Sequence, residues 1–83
     1  MDAMTVLWVE NDPDSLNTLT FMLEGIGYDV MAATSAAQAL DLLTQKNVDG
    51  VLLEYNLPDA SGASVRAEMK RIKPIFPSSC LLV

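Results

Sequence analysis

Val51-Leu52-Leu53-Glu54-Tyr55-Asn56-Leu57-Pro58-Asp59-Ala60-Ser61-Gly62 is the stretch that decides the fold. An apolar run stops at a single acid and passes into a turn-forming Leu-Pro-Asp-x-x-Gly segment. A strand that is apolar at successive positions, rather than alternate ones, is covered on both faces, as in parallel sheets whose crossover helices lie above and below. An acid at its end sets one carboxylate at the C-terminal edge of the sheet, where open α/β folds hold their sites.

Outward from that segment the same grammar repeats. Met4–Val9 is a second continuous apolar run and reads as another buried strand. Glu10-Asn11-Asp12-Pro13 ends it, with Asp12 suited to cap a helix and Pro13 to its first position. That helix is expected to run to about Glu24, with Leu16, Leu19, Leu23 and Ile26 inward and Gly25 or Gly27 as its stop. Tyr28–Ala33 is a strand. Ser35 and Gln38 form a capping box for a helix whose inner face is Ala36, Ala39, Leu40 and Leu43. Gly50–Tyr55 is the third strand. After the Pro58–Gly62 loop a third helix carries Val65, Met69 and Ile72 inward and Lys70, Arg71 and Lys73 in its last turn, where cations favour the helix dipole. Pro74 and Pro77 break it, and Ser79–Val83 begins a fourth strand. The order β-α-β-α-β-α-β predicts a parallel sheet with right-handed crossovers.

Composition narrows the class. Residues 1–83 read as one domain, and at 51% hydrophobic with few charges the chain is too apolar for disorder. A net charge of −6 without a basic run argues against nucleic-acid binding. The single cysteine, Cys80, excludes an internal disulfide, and with no histidine to activate it a small core residue is the expected role. No apolar stretch approaches the ~20 residues of a spanning helix, and the N-terminus lacks a basic region. A soluble, cytoplasmic protein with no membrane partner is the expectation.

Glu10 and Glu54 both terminate buried strands, so their carboxylates converge if those strands are neighbours. Two readings compete. Polar residues end strands and open loops as a matter of course; alternatively, clustered carboxylates hold a hard cation, since Mg²⁺ takes oxygen ligands and phosphates.

Val6-Leu7-Trp8-Val9-Glu10-Asn11-Asp12-Pro13, then Gly27-Tyr28, Ala39-Leu40, Asp49-Gly50 and the Val51–Gly62 segment fall in order at the intervals of response-regulator receiver domains. The chain resembles that family throughout its length. The resemblance implies a flavodoxin-like sheet of order 2-1-3-4-5, of which 2-1-3-4 is present here. It also implies an acidic, Mg²⁺-binding pair at Glu10 and Asn11, a phosphoacceptor at Glu54, and a metal-binding backbone carbonyl at Asn56. The sequence departs from the family where the chemistry occurs. Asn11 replaces a carboxylate with a neutral amide, and Glu54 stands where the family has aspartate. The extra methylene moves the acceptor oxygens by roughly 1–1.5 Å, and a misplacement near 1 Å can cost about 100-fold in rate. Val83 precedes the family's threonine or serine after the fourth strand, its fourth helix, and its fifth strand with the lysine and helix that follow.

The expectation is therefore a truncated, atypical receiver-like module. It is not an enzyme, is without a cofactor (any Mg²⁺ binding being weak), and acts by protein–protein interaction, either as a homodimer or with another signalling protein. The sheet face left bare supplies the interface, with Trp8, Phe21, Met22, Leu81, Leu82 and Val83 as its candidates. The alternatives are a Mg²⁺-dependent receiver that catalyses its own phosphoryl transfer, with Asp12 or Glu54 as acceptor, and a fragment of a longer receiver.

Overall fold

Apolar strands separated by segments long enough for a helix are joined by crossovers, which set them parallel. The computed structural model describes residues 4–54, 57–72 and 80–82, the last three by their backbone alone. The elements are β1 (Thr5–Val9), α1 (Pro13–Gly25), β2 (Asp29–Ala33), α2 (Ala36–Gln45), β3 (Gly50–Leu53), α3 (Gly62–Ile72) and β4 (Cys80–Leu82). All strand pairs are parallel, and the order across the sheet is β2-β1-β3-β4. Strand order and element order both match the sequence expectation. The strands are shorter than expected: Met4 and Tyr28 fall just outside β1 and β2. Tyr55, Lys73, Pro74, Pro77, Ser79 and Val83 lie outside the described residues.

Strand pleating sorts the side chains into two faces. Leu7 and Val9 of β1, with Val51 and Leu53 of β3, point to the side of α2 and α3. There they pack on Ala36, Ala39 and Leu43 of α2 and Val65 and Met69 of α3 in one buried cluster. Val6, Trp8 and Leu52 take the alternate positions and face the side of α1, which lies over β2 and β1.

Caps set the helix ends as the sequence implies. The Asp12 carboxylate accepts from the Ser15 N–H at 2.9 Å, with Pro13 as the first helical residue. At the other end Gly27 takes a φ of +104°, the left-handed region that costs glycine least. Tyr28 N–H donates to Leu23 O at 3.0 Å and Gly27 N–H to Glu24 O at 3.1 Å, a Schellman closure. Gly27, not Gly25, is thus the stop. The closure also overturns the placement of Ile26: as the capping residue it leaves the helix's inner stripe and is 74% exposed. The α2 cap differs in one arm. Ser35 Oγ accepts from the Gln38 N–H at 3.2 Å, but the Gln38 side chain reaches back to Thr34, accepting from its N–H at 2.9 Å and from its hydroxyl at 3.1 Å. At α3, Arg71 pairs with Glu68 one turn earlier.

Candidate functional site

Because Val9 of β1 is in register with Leu53 of β3, the residues that follow them leave the sheet side by side. The ladder persists one residue beyond each strand, with Glu10 N–H donating to Ala33 O and Glu54 N–H to Val9 O, both at 3.0 Å. These backbone bonds fix the two Cα positions, and they bring the side chains of Glu10 and Glu54 within reach of each other. The convergence inferred from sequence is realised.

Two carboxyl groups brought this close disfavour carrying both charges. Glu10 is the more enclosed, at 6% exposed. Burial pushes its carboxyl above the ordinary range, and the hydrogen bond and charge of Glu54 push the same way. The backbone N–H of Asp12 donates to Glu10 and opposes the rise, while the charge of Asp12 adds to it. Glu10 Oε2 is buried without a hydrogen-bond partner.

The other predicted site residues are less involved. Asn11 is exposed beside the pair, and Asn56 lies outside the described residues. Asp12, named as a possible acceptor, is engaged as the cap of α1, and the Ser15 N–H holds its carboxyl below the usual range. Whether this donor set suits Mg²⁺ follows from those contacts. The orphaned Glu10 oxygen is a hard donor, whereas Asn11 is neutral and Asp12 is turned to α1. Among the described residues no three His, Cys, Asp or Glu side chains gather into a metal cluster. The described side chains by themselves do not complete an octahedral Mg²⁺ site at about 2.1 Å.

Asp59 has a role that the sequence did not reveal. Its carboxylate reaches from the β3–α3 loop to the first turn of α2, accepting from Ala36 N–H at 2.9 Å and Ala37 N–H at 3.1 Å. Those donors, at the positive end of the helix, hold the Asp59 carboxyl below its usual range. The loop is closed locally by Leu57 N–H donating to Ala60 O at 3.1 Å, and Ser61 Oγ accepts from Ser64 N–H to start α3. The Leu57-Pro58-Asp59 segment therefore ties two helices to the edge where Glu10 and Glu54 sit.

Of the interface candidates, Trp8 is buried, with its indole N–H unpartnered, whereas Phe21 and Met22 on α1 are exposed. Leu81 and Leu82 occupy β4 in register with Leu52 and Leu53; their side chains, like Val83, lie outside the described residues. No described helix is long and apolar enough to cross a membrane.

Comparison with known proteins agrees with this architecture. Residues 6–80 match the model of the response regulator receiver domain. The chain is 32% identical over 72 residues to the transcriptional regulatory protein GlrR of Escherichia coli, covering 87% of this chain and 16% of that protein. A CheY-like receiver domain from Methylobacillus flagellatus superposes with a TM-score of 0.87 at 26% identity, over 98% of this chain and 69% of that one. The response regulator TrrA of Thermotoga maritima, solved with Mg²⁺ and BeF, gives a TM-score of 0.83 at 25% identity, over 95% of this chain and 65% of that one. The flavodoxin-like sheet, the paired acids at its edge and the family match together make this chain a member of the response regulator receiver domain family of two-component signalling.

Proposed function

We propose that this chain is an atypical receiver module that is not phosphorylated, requires no Mg²⁺, and works by binding a protein. The placement of Glu54 beside the buried Glu10 at the sheet edge carries the reading. A phosphoacceptor carboxylate must present a free oxygen in line with the incoming phosphorus, beside cations that neutralise the developing charge. Here the carboxyl at the acceptor position lies beside a second, buried carboxyl, and the longer glutamate side chain displaces its oxygens further. The module is accordingly not an enzyme. Its partner is a protein, either a second copy or a different signalling protein, met through the α1 side of the sheet.

The competing reading is a Mg²⁺-dependent receiver that catalyses its own phosphorylation; the unpartnered Glu10 oxygen is the observation in its favour. Incubation with acetyl phosphate and Mg²⁺, followed at once by intact mass, separates the two. The proposed reading predicts an unchanged mass. Gain of one phosphoryl group in the native chain and not in Glu54→Gln would overturn it.

A further inference from the structure

Three chain segments leave the C-terminal edge of the sheet and are tied to one another there. Glu10 N–H donates to Ala33 O and Glu54 N–H to Val9 O, which fixes where β1, β2 and β3 end. From β2 the chain passes through Thr34 and Ser35 into α2; from β3 it passes into the loop that carries Asp59. The Asp59 carboxylate then joins the two, accepting from Ala36 N–H at 2.9 Å and Ala37 N–H at 3.1 Å, across 23 and 22 positions of sequence. The ties close a ring: β3 to β1, β1 to β2, β2 through Ser35 to α2, α2 to Asp59, and Asp59 back along its loop to β3.

Neither segment joined by Asp59 is anchored deeply. The first N–H groups of a helix have no acceptor within it, so Ala36 and Ala37 depend on the carboxylate. Leu57 and Ala36 belong to the buried cluster but stand at its rim, 9% and 5% exposed where most of its members are at 0%. Two N–H groups on a charged acceptor make a stronger tie than neutral hydrogen bonds do. Pro58 fixes the backbone just before Asp59, which limits the conformations lost when the tie forms. Asp59 is itself exposed, so water or a partner's cation reaches the carboxylate without disturbing the core. Segments of this kind, few in buried contacts and solvent-facing in their hydrogen bonds, open as local units while the rest of a fold stays closed.

We propose that the β3–α3 loop and the first turn of α2 form one switch segment latched by Asp59. Latched, both are held at the sheet edge; released, both open together while α1 and the core stay in place. The device puts the loop that follows Glu54 and the start of α2 under the control of one side chain. It stands apart from the non-phosphorylated reading, because it uses neither carboxyl of the Glu10–Glu54 pair. The simpler alternative is a cap, in which Asp59 serves Ala36 and Ala37 alone and the loop opens by itself.

Native-state amide exchange on the full chain, read residue by residue by NMR, separates latch from cap. The informative amides are those that Asp59 does not touch: Leu57, bonded to Ala60 O inside the loop, and Gln38, bonded to Ser35 Oγ in α2. Leu16, bonded to Asp12 O at the start of α1, is the reference. In the native chain Ala36, Ala37 and Leu57 should share one opening constant to within about twofold once intrinsic rates are removed. Asp59→Ala should speed exchange at Leu57 and Gln38 by at least about tenfold and leave Leu16 within about twofold. Asp59→Asn, which keeps an acceptor oxygen and loses the charge, should fall between native and Asp59→Ala. Faster exchange at Ala36 and Ala37 with Leu57 at its native rate would reduce Asp59 to a cap and overturn the proposal. Unequal opening constants in the native chain would overturn it as well, and that comparison needs no variant to fold.

Discussion

The α2/α3 face and the α1 face share one sheet but are assembled on different terms. On the first, Ala36, Ala39 and Leu43 of α2 and Val65 and Met69 of α3 are buried against Leu7, Val9, Val51 and Leu53. On the second, α1 has no buried residue, although Leu16, Leu19 and Leu23 line its inner side. Alternation along β1 delivers apolar residues to both faces equally, so the difference arises above the sheet, in how many helices cover it. A face that is apolar in sequence but incompletely covered by the described elements keeps apolar surface in contact with water.

The comparison can be broken most directly at the well-packed face. Leu43→Ala leaves a cavity in the densest part of the molecule and should lower stability by about 2–5 kcal/mol in urea titrations. A loss no greater than that from an α1 substitution would show that the two faces are alike.

At the sheet edge between the faces, Glu10→Gln should raise stability at neutral pH by about 1–2 kcal/mol, because a neutral amide can donate to Glu54 with no buried charge. The sign follows from linkage. Glu10 binds its proton more tightly in the folded chain, so its contribution to stability falls as pH rises from the ordinary glutamate range through its raised value. The substitution should flatten that part of the stability–pH curve, as followed by thermal melts; an unchanged slope would mean that Glu10 does not hold its proton more tightly in the folded chain.

Asp59→Ala is expected to have a smaller effect with the opposite pH dependence. The Asp59 carboxyl is held below its usual range by Ala36 and Ala37, so its stabilisation is present above that range and is lost as pH falls through the lowered value. Native and variant melting temperatures should differ at neutral pH and converge in acid. Smallest of all, Phe21→Ser on the outside of α1 should change stability by no more than about 0.5 kcal/mol, since Phe21 is 79% exposed.

Much of this structure is legible in local sequence. Continuous apolar runs announce β1 and β3, and Asp12-Pro13 and Ser35 mark helix starts because capping operates within three or four residues. The convergence of Glu10 and Glu54 is readable too, once parallel neighbours are assumed. What sequence conceals is set by contacts across the fold. Asp59 caps α2 from 23 positions away, so nothing near either residue signals the pairing. Ile26 continues the spacing of Leu16, Leu19 and Leu23, yet the left-handed turn at Gly27 removes it from the stripe. Leucine spacing also makes α1 look as deeply seated as α2, whereas seating depends on what lies beside the helix.

Native-state hydrogen exchange on the isolated chain tests the unequal covering of the sheet most directly. Amides of α1 should exchange at least about tenfold faster than those of α2, reflecting an opening free energy lower by some 1.4 kcal/mol or more. Equal protection of the two helices would contradict the account, since α1 would then be seated as firmly as α2.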